Sequence, residues 1–256
     1  MAPTIRSVIT AGVDLSSQAV KTAACVLSWD DEEAKVTSLC VGVDDERISW
    51  LISHVKKLGI DVPLGWPIAF AEAIAEQSRG GSWPSSYLHA DTTAVRYRAT
   101  DLWVWKHLPM RPPLSVSTDR IALPAMRAAA LLSRLPEPVA RDGSGVVVEV
   151  YPAAALTRWE LASQGYKGKD KRPARGALME GLLAGTKQWL RINPAHVNLC
   201  LSSDDAFDAL IAGLVARAAA IGMVEEIPDA DRAAAEREGW IAVPLGGTLG
   251  RLAAGR

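Results

Sequence analysis

The chain has 256 residues, 49% of them hydrophobic, enough to bury a sizeable core and to build one large α/β domain that carries an insertion. Its 28 Lys and Arg nearly cancel its 29 Asp and Glu, leaving a formal net charge of -1, so a nucleic-acid partner would have to be held by local basic patches. Cys25, Cys40 and Cys200 are odd in number and widely spaced, and no Cys/His cluster has zinc spacing, which argues against a disulfide scaffold and a zinc site. The N-terminal region lacks a secretory apolar core, and no run approaches the roughly 20 apolar residues that span a bilayer; a cytoplasmic protein with no membrane partner is expected.

The first third reads as strands. Segments 7–15, 19–29 and 35–43 are rich in Val, Thr, Ala and Leu and are separated by the polar turns Ser16-Ser17-Gln18 and Asp30-Asp31-Glu32-Glu33, which predicts an antiparallel three-strand meander. Between Asp44 and Lys57, Ile48, Leu51, Ile52 and Val55 recur at helical spacing, with Gly59 as the stop. Residues 60–65 then read as a short buried strand, and strand, helix, strand predicts a parallel crossover. From about 78 to 145 the chain is rich in Pro and Trp, with Trp83, Trp103 and Trp105 and a helix expected over 119–135; we read it as an insertion over one end of the sheet.

Val146 to Pro152 resumes the sheet as a fully buried strand. Helices are expected over 153–163 and 173–190, another from Asp204, and a short one over 229–237. Residues 1–245 are read as one domain and the Gly/Ala-rich residues 246–256 as a flexible tail.

The most informative stretch is Ser202-Ser203-Asp204-Asp205-Ala206-Phe207-Asp208, which places three carboxylates at the start of an otherwise apolar helix. Phe207, Leu210, Ile211, Leu214, Val215 and Ala218 form its stripe, so the helix is expected to be buried on most sides. Ser202 is expected as its N-cap, with Asp205 closing a near capping box, and acids in a first turn suit the helix dipole. That accounts for Asp204 and Asp205. Asp208 lies beyond the first turn, and it shares a face with Asp205 three residues earlier.

Other acids sit where acids are unwelcome. Asp14 ends the first strand, Asp61 lies within an apolar strand and Glu149 ends a Val run. Strands deplete Asp, and an unpaired buried carboxylate costs several kcal/mol or takes up a proton. Each alone also reads as a strand end facing solvent. Together they predict one site made by Asp14, Asp61, Asp205 and Asp208 with Glu149 nearby. Carboxylates about 4 Å apart repel by roughly 4 kcal/mol at an effective dielectric of 20, and divalent cations reverse that repulsion. An all-oxygen ligand set favours Mg²⁺ or Mn²⁺, and two such ions suit in-line attack of water on a phosphodiester.

These residues lie in pieces that resemble one family. Gly12-Val13-Asp14-Leu15, Ile60-Asp61-Val62-Pro63-Leu64-Gly65, Tyr97-Arg98-Ala99-Thr100-Asp101, Glu149-Val150-Tyr151-Pro152, Tyr166-Lys167, Asp205-Ala206-Phe207-Asp208-Ala209-Leu210 and Glu238-Gly239-Trp240-Ile241 occur in order across most of the chain. The pattern is similar to that of the predicted RNase H-like nucleases collected as domain-of-unknown-function family 429. The resemblance implies an RNase H-like fold, a five-stranded mixed sheet flanked by helices, with its acidic site drawn from the first strand, the fourth strand and the last core helix. It also implies a metal-dependent nuclease.

Two basic patches bear on a nucleic-acid substrate. Arg96, Arg98 and Arg111 lie among the tryptophans of the insertion, and Arg98 is spaced to pair with Asp101. The loop from Tyr166 to Arg175 carries Lys167, Lys169, Lys171 and Arg172, which reads either as a solvated loop or as a phosphate-backbone contact. Arg98, Asp101, Tyr166, Lys167, Lys169, Lys171 and Arg172 are therefore the candidate substrate-binding residues. Two other functions stay open: a nucleotide-binding phosphotransfer protein on the related kinase and actin-like ATPase core, and a non-catalytic binding module with a degenerate site.

Overall fold

The computed structural model describes residues 7–83 and 92–254. Strands β1 (Val8–Asp14), β2 (Ala23–Trp29) and β3 (Ala34–Val41) form the expected antiparallel meander. Helix α1 (Asp45–His54) leads into β4 (Lys57–Asp61), which pairs parallel with β1 on the side away from β2. Strand β5 (Val147–Glu149) extends the sheet beyond β4, and β6 (Leu190–Arg191) adds to β3, both parallel, giving the order β5-β4-β1-β2-β3-β6. The sheet is therefore mixed and six-stranded where five were expected. The extra strand is two residues long, too short to leave a periodicity in the sequence.

Alternation along the strands sorts the two faces. Ala11 and Val13 of β1 and Leu58 and Ile60 of β4 pack with Ile48 and Leu51 of α1, and with Ala125, Ala128 and Leu131 of α5 (Ala122–Leu132). The opposite face carries α6 (Pro152–Arg158), α7 (Arg172–Thr186), α8 (Pro194–Ser202) and the long helix α9 (Asp204–Ala220). Every residue of α9 from Ala206 to Ala218 is buried, as its composition requires. The remaining helices are α2 (Ile68–Ser78), α3 (Thr93–Arg96), α4 (Ala99–His107) and α10 (Arg232–Glu238). Among the described residues no helix is long and apolar enough to cross a membrane.

Several boundaries differ from expectation for identifiable reasons. Gly59 is not a helix stop but the middle of β4, because the strand begins at Lys57. Ser203, not Ser202, caps α9 by accepting a hydrogen bond from the Ala206 amide, while Ser202 ends the unforeseen helix α8. Residues 19–21 make a turn of 3-10 helix instead of starting β2. Helix α5, expected to lie over one end of the sheet, packs against the sheet face beside α1. The segment expected to fray after residue 245 instead buries Leu249, Leu252 and Ala253. Residues 84–91 of the Pro- and Trp-rich section fall outside the described residues.

Candidate metal centre

Register and two glycines assemble the site. In the parallel pairing of β1 with β4, Gly12 stands opposite Gly59 and, two residues on along the same face, Asp14 stands opposite Asp61. A Cβ on Gly12 would lie 2.1 Å from the Ala209 carbonyl oxygen, and one on Gly59 would lie 2.3 Å from that of Ala212. Helix α9 thus rests on bare strand backbone. It runs antiparallel to β1, with the Thr10 hydroxyl donating to the Gly213 carbonyl at 3.2 Å, so its N-terminal turns arrive at the carboxyl ends of β1 and β4. There Asp14, Asp61 and Asp208 each bring a carboxylate oxygen within 4.8 Å of the others.

Asp208 is buried and held on both oxygens. Its Oδ1 accepts from the Tyr166 hydroxyl at 2.8 Å, and its Oδ2 forms a 2.6 Å ion pair with Lys167 Nζ. The Tyr166 ring meets Phe207 edge-on at 5.7 Å. The loop that presents Tyr166 and Lys167 is fastened on both sides of the lysine. The buried Arg175 guanidinium donates to the carbonyls of Tyr166 (2.8 Å) and Gly168 (2.7 Å) through Nη1 and to that of Leu201 through Nε. The Gly168 amide donates to Asp204 Oδ2. Arg175, read from sequence as part of a basic loop, is the loop's internal clamp.

The electrostatics follow from this crowding. Burial first, then the charges of Asp61 and Asp208, push the Asp14 carboxyl well above the usual carboxylate range. Burial likewise pushes Asp61 to about 7, with Asp208 and Glu149 adding to the effect and Lys167 opposing it. Burial works against the Lys167 ammonium, but the carboxylates of Asp208, Asp61 and Asp14 outweigh it and hold its pKa above the usual range. Among the described residues, neither Asp14 nor Asp61 receives a side-chain or backbone hydrogen bond on its carboxylate. The cluster thus sets three carboxyl groups against one ammonium.

Asp205 lies one turn from Asp208 and lines the same cavity, of about 750 Å³, but is outside the tight group of three. Tyr151, from the Glu149-Val150-Tyr151-Pro152 piece, also lines it, as do Ser16, Ser17 and Arg120, which were not expected in a site. Glu149 borders the cavity with both oxygens engaged by Arg98, at 2.7 and 2.8 Å, and Oε2 also accepting from the Leu64 amide. Arg98 pairs with Asp101 as its spacing predicted, and its five N–H groups all go to Asp101, Glu149 and the Glu238 carbonyl. Every guanidinium N–H is thus engaged, and Arg98 and Asp101 form a buried ion pair in the cavity wall. Glu238, unnoticed as a single residue in sequence, accepts from the amides of Ile68 and Ala99 and so caps α2 and α4 at once. Lys169, Lys171 and Arg172 are exposed beside the clamped loop.

The molecule so defined is an α/β protein with an acidic centre at the carboxyl ends of two parallel strands. Residues 12–233 match the family model described as "Protein of unknown function (DUF429)", and the chain belongs to that family. No curated protein and no solved structure matches it.

Proposed function

We propose that this protein is a metal-dependent nuclease with an RNase H-like fold, hydrolysing phosphodiester bonds in nucleic acid. The observation that carries the reading is the convergence of Asp14, Asp61 and Asp208 within 4.8 Å, on three separate elements. The donors are hard carboxylate oxygens near the spacing of roughly 3–4 Å that ligands of one small cation adopt. Two of them, Asp14 and Asp61, receive no hydrogen bond on their carboxylates among the described residues, and Asp208 Oδ2 faces the Lys167 ammonium. Such a set fits Mg²⁺ or Mn²⁺.

A bound divalent ion would stabilise charge on the phosphate and supply an acidified water. The chain's own residues do the rest. Asp14, Asp61 and Asp208 hold the ion, and the Tyr166 hydroxyl fixes the orientation of Asp208. Asp205, on the cavity wall, orients water, and exposed Lys169, Lys171 and Arg172 attract the phosphate backbone from beside the cavity.

The test is incubation of the protein with labelled single-stranded, duplex and branched RNA and DNA, with Mn²⁺ or with chelator. Cleavage is expected with Mn²⁺ alone, and Asp14→Asn and Asp208→Asn should each abolish it. Absence of both cleavage and Mn²⁺ binding would sink the reading. The phosphotransfer alternative draws on Ser16 and Ser17, which follow Asp14 into the cavity. Thermal protection by ATP would favour it over the nuclease.

A further inference from the structure

Lys167 reaches the acidic cluster in a way that a solvated lysine does not. Its side chain is 55% exposed, yet its Nζ sits 2.6 Å from Oδ2 of the buried Asp208. The backbone on either side is locked: Arg175 holds the carbonyls of Tyr166 and Gly168, and Asp204 holds the Gly168 amide. Two helices, α7 and α9, thus aim this ammonium at the strand ends. We propose that Lys167 is a built-in second cation: the centre takes one divalent metal ion, and the lysine ammonium stands where a two-metal phosphodiesterase places its second ion. This rests on the metal-dependent reading above and replaces by one the two ions expected from the sequence.

Charge and ligand supply both point this way. With a divalent ion bound all three carboxylates are ionised, and against one ammonium they leave two negative charges, which that single ion neutralises. A second ion would have to share the pocket with the ammonium and be repelled by it. In a two-metal site the ions stand about 3.5–4 Å apart and draw on shared carboxylates. A second ion bound to Asp208 Oδ2 would have to displace the Lys167 ammonium, which lies 2.6 Å from it. The ammonium forms no covalent bond; it holds a phosphate oxygen by charge and hydrogen bonding while the water oxygen bonds to phosphorus, the P–O ester bond breaks with its electron pair on the leaving oxygen, and the water's proton passes through solvent to that oxygen.

The experiment is a Mn²⁺ titration of the full chain by calorimetry, with bound ions counted after gel filtration, for wild type, Lys167→Met and Lys167→Arg. Wild type and Lys167→Arg should bind one Mn²⁺ per chain, and Lys167→Met should bind a second. Two ions on the wild type would overturn the proposal, as would Lys167→Met binding one ion with unchanged affinity. Should Lys167→Met fail to fold, the counts for wild type and Lys167→Arg decide: one ion on each supports the proposal and two on either overturns it. No binding by any of the three would instead remove the metal-dependent reading, a result separable from failure of the lysine's role.

Discussion

At Asp61, burial and neighbouring charge give a stability effect whose sign can be worked out. The folded carboxyl titrates near 7 and an unfolded one near 4, so over that interval the folded chain keeps a proton that the unfolded chain has lost. Stability from this group is present at low pH and declines as pH rises through the interval. Asp61→Asn should therefore gain in Tm over wild type between about pH 5 and about pH 7.5 in chelator. A Tm difference that stays constant across that range would contradict the assignment. Arg98 has the opposite character. With Arg98, Asp101 and Glu149 all buried, Arg98→Met leaves two buried carboxylates unpaired and should cost about 3–5 kcal/mol by denaturant unfolding. The acids of the centre were legible in sequence because a carboxylate in an apolar strand or on an apolar helix has few physical explanations. The occupation of Arg98 was not, since Glu149 lies 51 residues away and only tertiary structure brings the two together.

At the scale of elements, the centre depends on how closely α9 approaches β1 and β4. Gly12→Ala places a methyl group into α9 backbone, which cannot rotate aside as a side chain would. The expected cost is at or above the upper end of the about 1–3 kcal/mol typical of overpacking. Mn²⁺ affinity should fall as well, because Asp208 is displaced from Asp14. Measuring Tm in chelator and Mn²⁺ binding on the same variant checks both; wild-type values for the two would show that the helix has slack. The meander and α9 were readable from alternation and from the apolar stripe. Gly59 misled because a glycine after a helical pattern is a common stop, and its real cause, a helix lying across the strand, comes from residues more than 150 positions later. Helix α8 carries a start signal in the cap Asn193 followed by Pro194, and only its end is ambiguous in sequence, since Ser202 and Ser203 are both good caps.

For the whole molecule, a net charge of -1 means that attraction to a polyanion has to be local. Lys169, Lys171 and Arg172 offer such a patch beside the centre. Neutralising all three should weaken nucleic-acid binding and lower the log–log salt slope by about 0.9 per lost phosphate contact on duplex DNA and about 0.7 on single strands. Turnover at saturating substrate should change little, and an unaltered slope would remove the patch from the interface.

The contact of Thr10 with Gly213 spans 203 residues, and it has a consequence in time. At translation rates of about 5–20 residues per second, β1 leaves the ribosome roughly 10–40 s before α9 does. For that interval the glycine-lined face of β1 and β4 has no helix to cover it, and Asp14 and Asp61 stand without Asp208. Contacts of such long sequence separation also form slowly once the chain is complete. Assembly of the three-carboxylate centre accordingly waits for α9, and until then the nascent chain carries Asp14 and Asp61 without the third acid.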